Sequence, residues 1–178
     1  IIDIHAHIYP DKVAQRASES VGEFYSIPMR HDTGSVQRYL DALAPSPITH
    51  SLVHSVAVKA KVVESINNFV AATCAEHANF IGFATMHQDY ENPEAEIDRA
   101  ISMGLKGIKL HPDSQHVDMD DPRLMNVYEI AQARNLPVMI HCGDYRRDHS
   151  HPRRLKNVLR AFPDLRVDAA HFGGWSVY

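Results

Sequence analysis

The chain has only two cysteines among its 178 residues, Cys74 and Cys142. They lie far apart and make no disulfide framework of the secreted kind, which fits a reducing cytoplasm. There is no signal-peptide pattern, and no apolar run approaches the ~20 residues of a membrane span, so a membrane partner is not expected. Basic runs are missing too: Arg146-Arg147 and Arg153-Arg154 are short pairs in a chain of formal net charge -4, and nucleic acid is not the expected partner. No Gly-x-Gly-x-x-Gly follows the first apolar stretch, which disfavours a nucleotide-binding doubly wound sheet. The chain does not begin with Met and opens inside a strand, so we expect further sequence before it. What it has in excess is histidine, thirteen of them.

The first two stand in Ile1-Ile2-Asp3-Ile4-His5-Ala6-His7. In an extended strand, alternate side chains share a face, so the pattern predicts Asp3, His5 and His7 together, with the apolar residues buried on the other side. Two imidazoles two residues apart at a strand end can reach one metal ion. Two surface histidines on an edge strand are the alternative, which fits poorly with a strand that reads as buried.

With 44% hydrophobic residues, the chain can bury one substantial core, and residues 1–178 read as a single domain or part of a larger one. After the first strand a short helix is expected from Lys12 to about Ser20. Residues 21–49 read as an irregular insertion punctuated by Pro28, Gly34, Pro45 and Pro47, with one helix at 35–43, of the kind that forms or covers a binding site. Strands are then expected at 51–58, 80–86, 107–110, 137–140 and 165–170. Helices alternate with them at 61–78, from Pro93, from Pro122 and from Pro152, with Asn92 and Asp121 as N-caps. Cys74 lies on an apolar helical stripe and Cys142 is out of phase with His141, so both read as packing.

Strict alternation of strand and helix is the signature of a parallel sheet wrapped by crossover helices. The last four strands end at His87, His111, His141 and His171, spaced by 24, 30 and 30 residues, close to the ~30 of a repeated βα unit. Histidines gathered at C-terminal strand ends fit a (β/α)8 TIM barrel, whose sites lie there. Only six βα units are present, and two more would add ~60 residues to reach the usual size. We therefore expect a barrel incomplete at its C-terminus.

Asp3-Ile4-His5-Ala6-His7, the run from Gly104 to Pro112, Pro137-Val138-Met139-Ile140-His141-Cys142-Gly143 and Ala170-His171-Phe172-Gly173-Gly174 together resemble the amidohydrolase-related branch of the amidohydrolase superfamily. That branch includes the aminocarboxymuconate semialdehyde decarboxylase-like enzymes, and the resemblance runs from the first residue to about Gly174. It implies a metal-dependent barrel with His5, His7 and His141 as ligands and His171 as the residue that orients and deprotonates a metal-bound water. The aspartate the family carries on strand eight has no counterpart in this chain. Zn2+ is the metal expected first, with Mn2+ and Fe2+ compatible with the same donors.

Lys109 shares a strand face with His111, and both read as substrate contacts, Lys109 to an anion or in a buried salt bridge; a carboxylated lysine ligand ranks last. Arg146, with Arg147 in the loop after His141, can hold a substrate carboxylate. Asp3 is expected to support a ligand histidine or to pair with Lys109. His31, His50, His54, His77, His116, His149 and His151 receive no role. Two other His-x-His families fit less well: His7 is followed by Ile8-Tyr9-Pro10 where histidinol-phosphatase-like barrels carry Ser-Asp-Gly, and strand four lacks the Gly-Glu-x-Gly of TatD-like nucleases. The expected activity is hydrolysis of an amide, lactone or ester of a small, acidic molecule. The alternatives are non-oxidative decarboxylation of an unsaturated or aromatic acid and, from another class, an inactive scaffold or fragment. A homo-oligomer is compatible with the sequence.

Overall fold

The computed structural model of the chain describes residues 1–29 and 33–177; His31 and the centre of the 21–49 segment fall outside them. Strand β1 (Ile2–His7) pairs in parallel with β2 (His50–His54), and β2 with β3 (Phe80–Gly82). A second parallel run continues through β4 (Ala84–Thr85), β5 (Ile108–Leu110), β6 (Val138–Ile140) and β7 (Val167–Ala169). Phe83 separates β3 from β4, but its N–H still bonds Val53 O at 3.0 Å while Ala84 N–H bonds Gly107 O at 2.8 Å. The two runs are therefore one arc of six strand positions, as the alternating pattern predicts.

Helices α1 (Asp11–Tyr25) and α2 (Val36–Leu43) follow β1, and α3 (Val63–Glu76) follows β2. Helix α4 (Pro93–Ser102), the short α5 (Pro112–Gln115), α6 (Pro122–Ala133) and α7 (Pro152–Ala161) complete the outer layer. Start signals written in the sequence place several of them. Asn92 accepts from Ala95 N–H ahead of Pro93, and Asp121 accepts from Arg123 N–H ahead of Pro122, so the first orphan amides of α4 and α6 are met. Apolar side chains then pack between strands and helices in two clusters. One gathers Ile108, Leu110, Val138 and Ile140 against Leu124, Val127 and Val158, and includes Cys142. The other gathers Ala6, Val53, Val70 and Phe80, with Cys74 packed against it.

Four local expectations are corrected. Strand β2 stops at His54 rather than Val58, because Ser55 turns its hydroxyl to Ile8 O and Ala57 N–H leaves the ladder for Thr85 Oγ1 at 3.0 Å. Helix α1 runs on to Tyr25, five residues past Ser20. In β1 the register skips one residue between Asp3 and Ala6, a β-bulge that breaks the alternation. Asp3 pairs with Ser51 and accepts from Tyr39 Oη of α2 at 2.8 Å, while His5 faces Lys109, so Asp3 and His5 point in opposite directions. Of the strand's apolar residues Ala6 is buried, but Ile2 and Ile4 are more than half exposed, where no strand among the described residues pairs with the free edge of β1. No helix among the described residues is long and apolar enough to cross a membrane.

Candidate metal centre

Each strand position ends on or just before a histidine: His7, His54, His87, His111, His141 and His171. Five of these, with His5, converge. His7 and His54 are register partners on neighbouring strands, their rings meeting edge-on at 4.4 Å, and His5 lies 5.0 Å from His54 and 5.4 Å from His7. One ring nitrogen from each of His5, His7 and His54 falls within a common 4.8 Å. Across the site the His111 and His141 rings stack at 4.0 Å, and with Asp113 they form a second such group. His171 joins the two: its ring stacks on His5 at 5.1 Å and its Nε2 lies 3.1 Å from His141 Nδ1.

Local backbone chemistry puts His171 there. Gly143 has φ +79°, and a Cβ on it would sit 2.5 Å from Gly174 Cα, so the loop after β6 and the segment after β7 meet only because residue 143 is glycine. Trp175 N–H bonds Cys142 O at 2.8 Å and Ser176 N–H bonds Gly143 O at 2.7 Å, fastening the two segments. His171 and Phe172 themselves occupy left-handed backbone, at φ 61° and 57°, a conformation that L-residues adopt at a cost of ~1–2 kcal/mol each.

Lys109 lies beneath this ring of imidazoles, fully buried, with Nζ 3.2 Å from His5 Nε2. No carboxylate of the described residues lies within 4.0 Å of it, so the expected buried salt bridge is not made. Burial pushes its ammonium down to about 7, against the opposing pull of Asp168. The histidines respond to the same burial and to this cation. His5 and His141 are pushed down to about 3, first by desolvation and then by Lys109, and His7, His54 and His111 are driven well below the usual imidazole range for the same leading reason. At neutral pH these rings are uncharged, the form that offers a lone pair to a cation.

The donor set fits a divalent metal by a further observation. His7 Nδ1, both nitrogens of His54 and His141 Nε2 are buried with no hydrogen-bond partner. Buried polar atoms are normally paired; among the described residues Gln88 Oε1 and Arg147 Nε are also unpaired, but the other four unpaired atoms are imidazole nitrogens gathered at the C-terminal end of a barrel sheet. His5, His7, His141 and His171 thus come together as the sequence predicts, although the closest company of His5 and His7 is His54, and that of His141 is His111 with Asp113. His111 is turned to Tyr25, whose Oη lies 2.7 Å from its Nε2 and 3.4 Å from His141 Nδ1. Arg146 is bidentate to Asp144, at 2.9 and 2.7 Å, with its guanidinium 5.9 and 5.7 Å from the ring centroids of Tyr25 and Trp175. Arg147 lies 4.3 Å above Phe24.

Three residues of the site escape the sequence reading. His54 was legible as one more histidine at a strand end, had β2 been stopped there. Tyr25 depends on the full length of α1. Asp113 stands two residues after His111 and is held by Ser150 N–H at 3.2 Å and Ser150 Oγ at 2.5 Å.

Comparison with known proteins agrees with this architecture. An uncharacterized TIM-barrel protein from Bordetella bronchiseptica superposes with a TM-score of 0.69 at 19% identity over 94% of this chain and 65% of its own. A 5-carboxyvanillate decarboxylase from Novosphingobium aromaticivorans, solved with bound manganese, gives 0.71 at 15% identity over 93% of this chain and 64% of its own. A probable 2-pyrone-4,6-dicarboxylic acid hydrolase from Acinetobacter baumannii gives 0.58 at 16% identity over 94% and 55%. The chain therefore spans about two thirds or less of the length of these neighbours. At such identities they speak for the fold, a TIM barrel of which this chain forms six strand positions. The family model for amidohydrolases matches residues 2–177, and the chain belongs to that family.

Proposed function

We propose that this chain carries the metal-binding and proton-handling side of a metal-dependent hydrolase acting on an amide, lactone or ester of a small, acidic molecule. The observation that carries the reading is the cluster of neutral, buried imidazoles with unpartnered nitrogens, beside His171 at its open side. His5, His7 and His141 would hold the ion, Zn2+ first among the candidates. When bound, a divalent ion supplies a lowered pKa for water and polarises the bond under attack.

His171 is exposed to solvent yet touches both His5 and His141, so it can take a proton from the attacking water and pass it outward. Desolvation followed by Lys109 holds its pKa below the usual value, keeping it a free base at neutral pH. Lys109 contributes positive potential beneath the site, and His111, fixed by Tyr25 and by Ser114 N–H at 3.3 Å, presents a flat ring against which a substrate can rest. Arg146 at the mouth would meet a substrate carboxylate, with Asp144 holding it in place. A small-molecule acid is thus the expected partner, and the described residues of the 21–49 segment would form part of the cover.

Non-oxidative decarboxylation of an unsaturated or aromatic acid is the competing reading, since solved neighbours include both a decarboxylase and a probable hydrolase. Assay of the metal-loaded protein against a panel of amides, lactones and aromatic acids separates the two. Water addition without carbon dioxide release is expected; carbon dioxide release without water addition would replace hydrolysis by decarboxylation.

A further inference from the structure

The structure assigns His54 to the metal centre as a ligand beside His5 and His7. This rests on the metal reading above and adds to it a residue on β2. His54 is fully buried, and neither ring nitrogen has a hydrogen-bond partner. An unpaired buried polar atom costs about 1–3 kcal/mol, so an apolar side chain of similar size would be cheaper at this position if packing were its only task. The β1–β2 register sets His54 opposite His7, and one nitrogen from each of His5, His7 and His54 lies within 4.8 Å of the others. The two-residue spacing keeps His5 on the face where His7 and His54 lie, and the β-bulge between Asp3 and Ala6 takes Asp3 off it.

The other candidate group, His111, Asp113 and His141, differs on this point. Asp113 already accepts two hydrogen bonds from Ser150, and His111 is engaged through both nitrogens by Tyr25 and Ser114 N–H. Only His141 Nε2 lacks a hydrogen bond there, and it lies 3.5 Å from Asp113 Oδ2. The open valences of the site are therefore concentrated on the β1–β2 side. A wholly imidazole trio also has a chemical preference: imidazole suits Zn2+ and its late first-row neighbours, whereas Mn2+ favours carboxylate and water oxygens.

The test uses Zn2+ and Mn2+ themselves as probes on the whole chain, with affinities from chelator competition and the first shell from X-ray absorption. His54→Leu is expected to weaken Zn2+ binding by at least about tenfold, to weaken Mn2+ less, and to remove one imidazole from the zinc shell. Without metal, the same variant should melt at or above the unsubstituted chain, because it loses an unpaired polar group. Unchanged Zn2+ affinity with an unchanged imidazole count would overturn the assignment. Should His54→Leu fail to fold, the unsubstituted zinc-loaded chain decides: four imidazoles are expected with His54 added to His5, His7 and His141, and three or fewer would contradict it. His5→Ala separates this from the wider reading. If that variant also binds zinc normally, the metal centre itself is wrong; if it loses zinc while His54→Leu keeps it, only the role of His54 falls.

Discussion

The two sides of the histidine cluster are both built around imidazoles, with Asp113 added on one of them, and they answer opposite questions. On the β1–β2 side, His7 and His54 present buried nitrogens that nothing in the protein satisfies. On the β5–β6 side, Asp113 and His111 are tied to Ser150, Ser114 and Tyr25, so that half holds its shape through bonds of its own. Proximity of ligating groups alone does not separate the two. The hydrogen-bond account does: His141 Nε2 alone is left open on the β5–β6 side, whereas His7 and His54 leave three nitrogens open on the β1–β2 side, which is where the room for a further ligand is greater.

Metal removal should break this contrast most visibly. A site filled at a thousand times its Kd stabilises the fold by about 4 kcal/mol, so chelation should lower Tm by several degrees. An unmoved Tm after verified metal loss would contradict it. Next in size, Asp113→Ala strips the acceptor from Ser150 and should cost about 1–3 kcal/mol in denaturant unfolding while the chain still binds zinc through the β1 histidines. Loss of zinc with no loss of stability would reverse the roles of the two sides.

A pH series on the metal-free chain sharpens the same point. His5 and His141 titrate near 3 when folded and near 6.5 when unfolded, so the unfolded chain binds more protons between those values and stability must fall as pH drops from 6.5 toward 3. Lys109, near 7 folded against 10.5 unfolded, adds a rise in stability from pH 7 upward. Melting curves that are flat from pH 4 to 9 would show these groups to be solvated. The smallest effect is expected from Asp3→Asn. Asp3 bonds Tyr39 and the His5 backbone rather than a ring nitrogen, so zinc affinity should hold and stability should change by about 1 kcal/mol or less. A large loss of zinc affinity would place Asp3 behind the ligands after all.

Much of this fold is legible in the sequence because its signals are local. Pro93, Pro122 and Pro152 open helices behind Asn92, Asp121 and His151, and strand-end histidines recur once per βα unit. What escapes is set by pairing between distant segments. The bulge in β1 exists only against β2, and it overturns the period-two argument that grouped Asp3 with His5. His54 is hidden by an apolar run, Val56 to Val58, that continues the strand pattern after the ladder has ended. Tyr25 joins the site through a helix whose inner face is Ala14, Ser18 and Gly22, small residues that carry almost no apolar periodicity.

The most direct test is the metal content of the dialysed chain, measured beside the double variant His5→Ala/His7→Ala. The account predicts a divalent ion retained by the unsubstituted chain and none by the variant, with both folded by circular dichroism. Equal retention in the two, or no retention in either after loading with zinc, would contradict it.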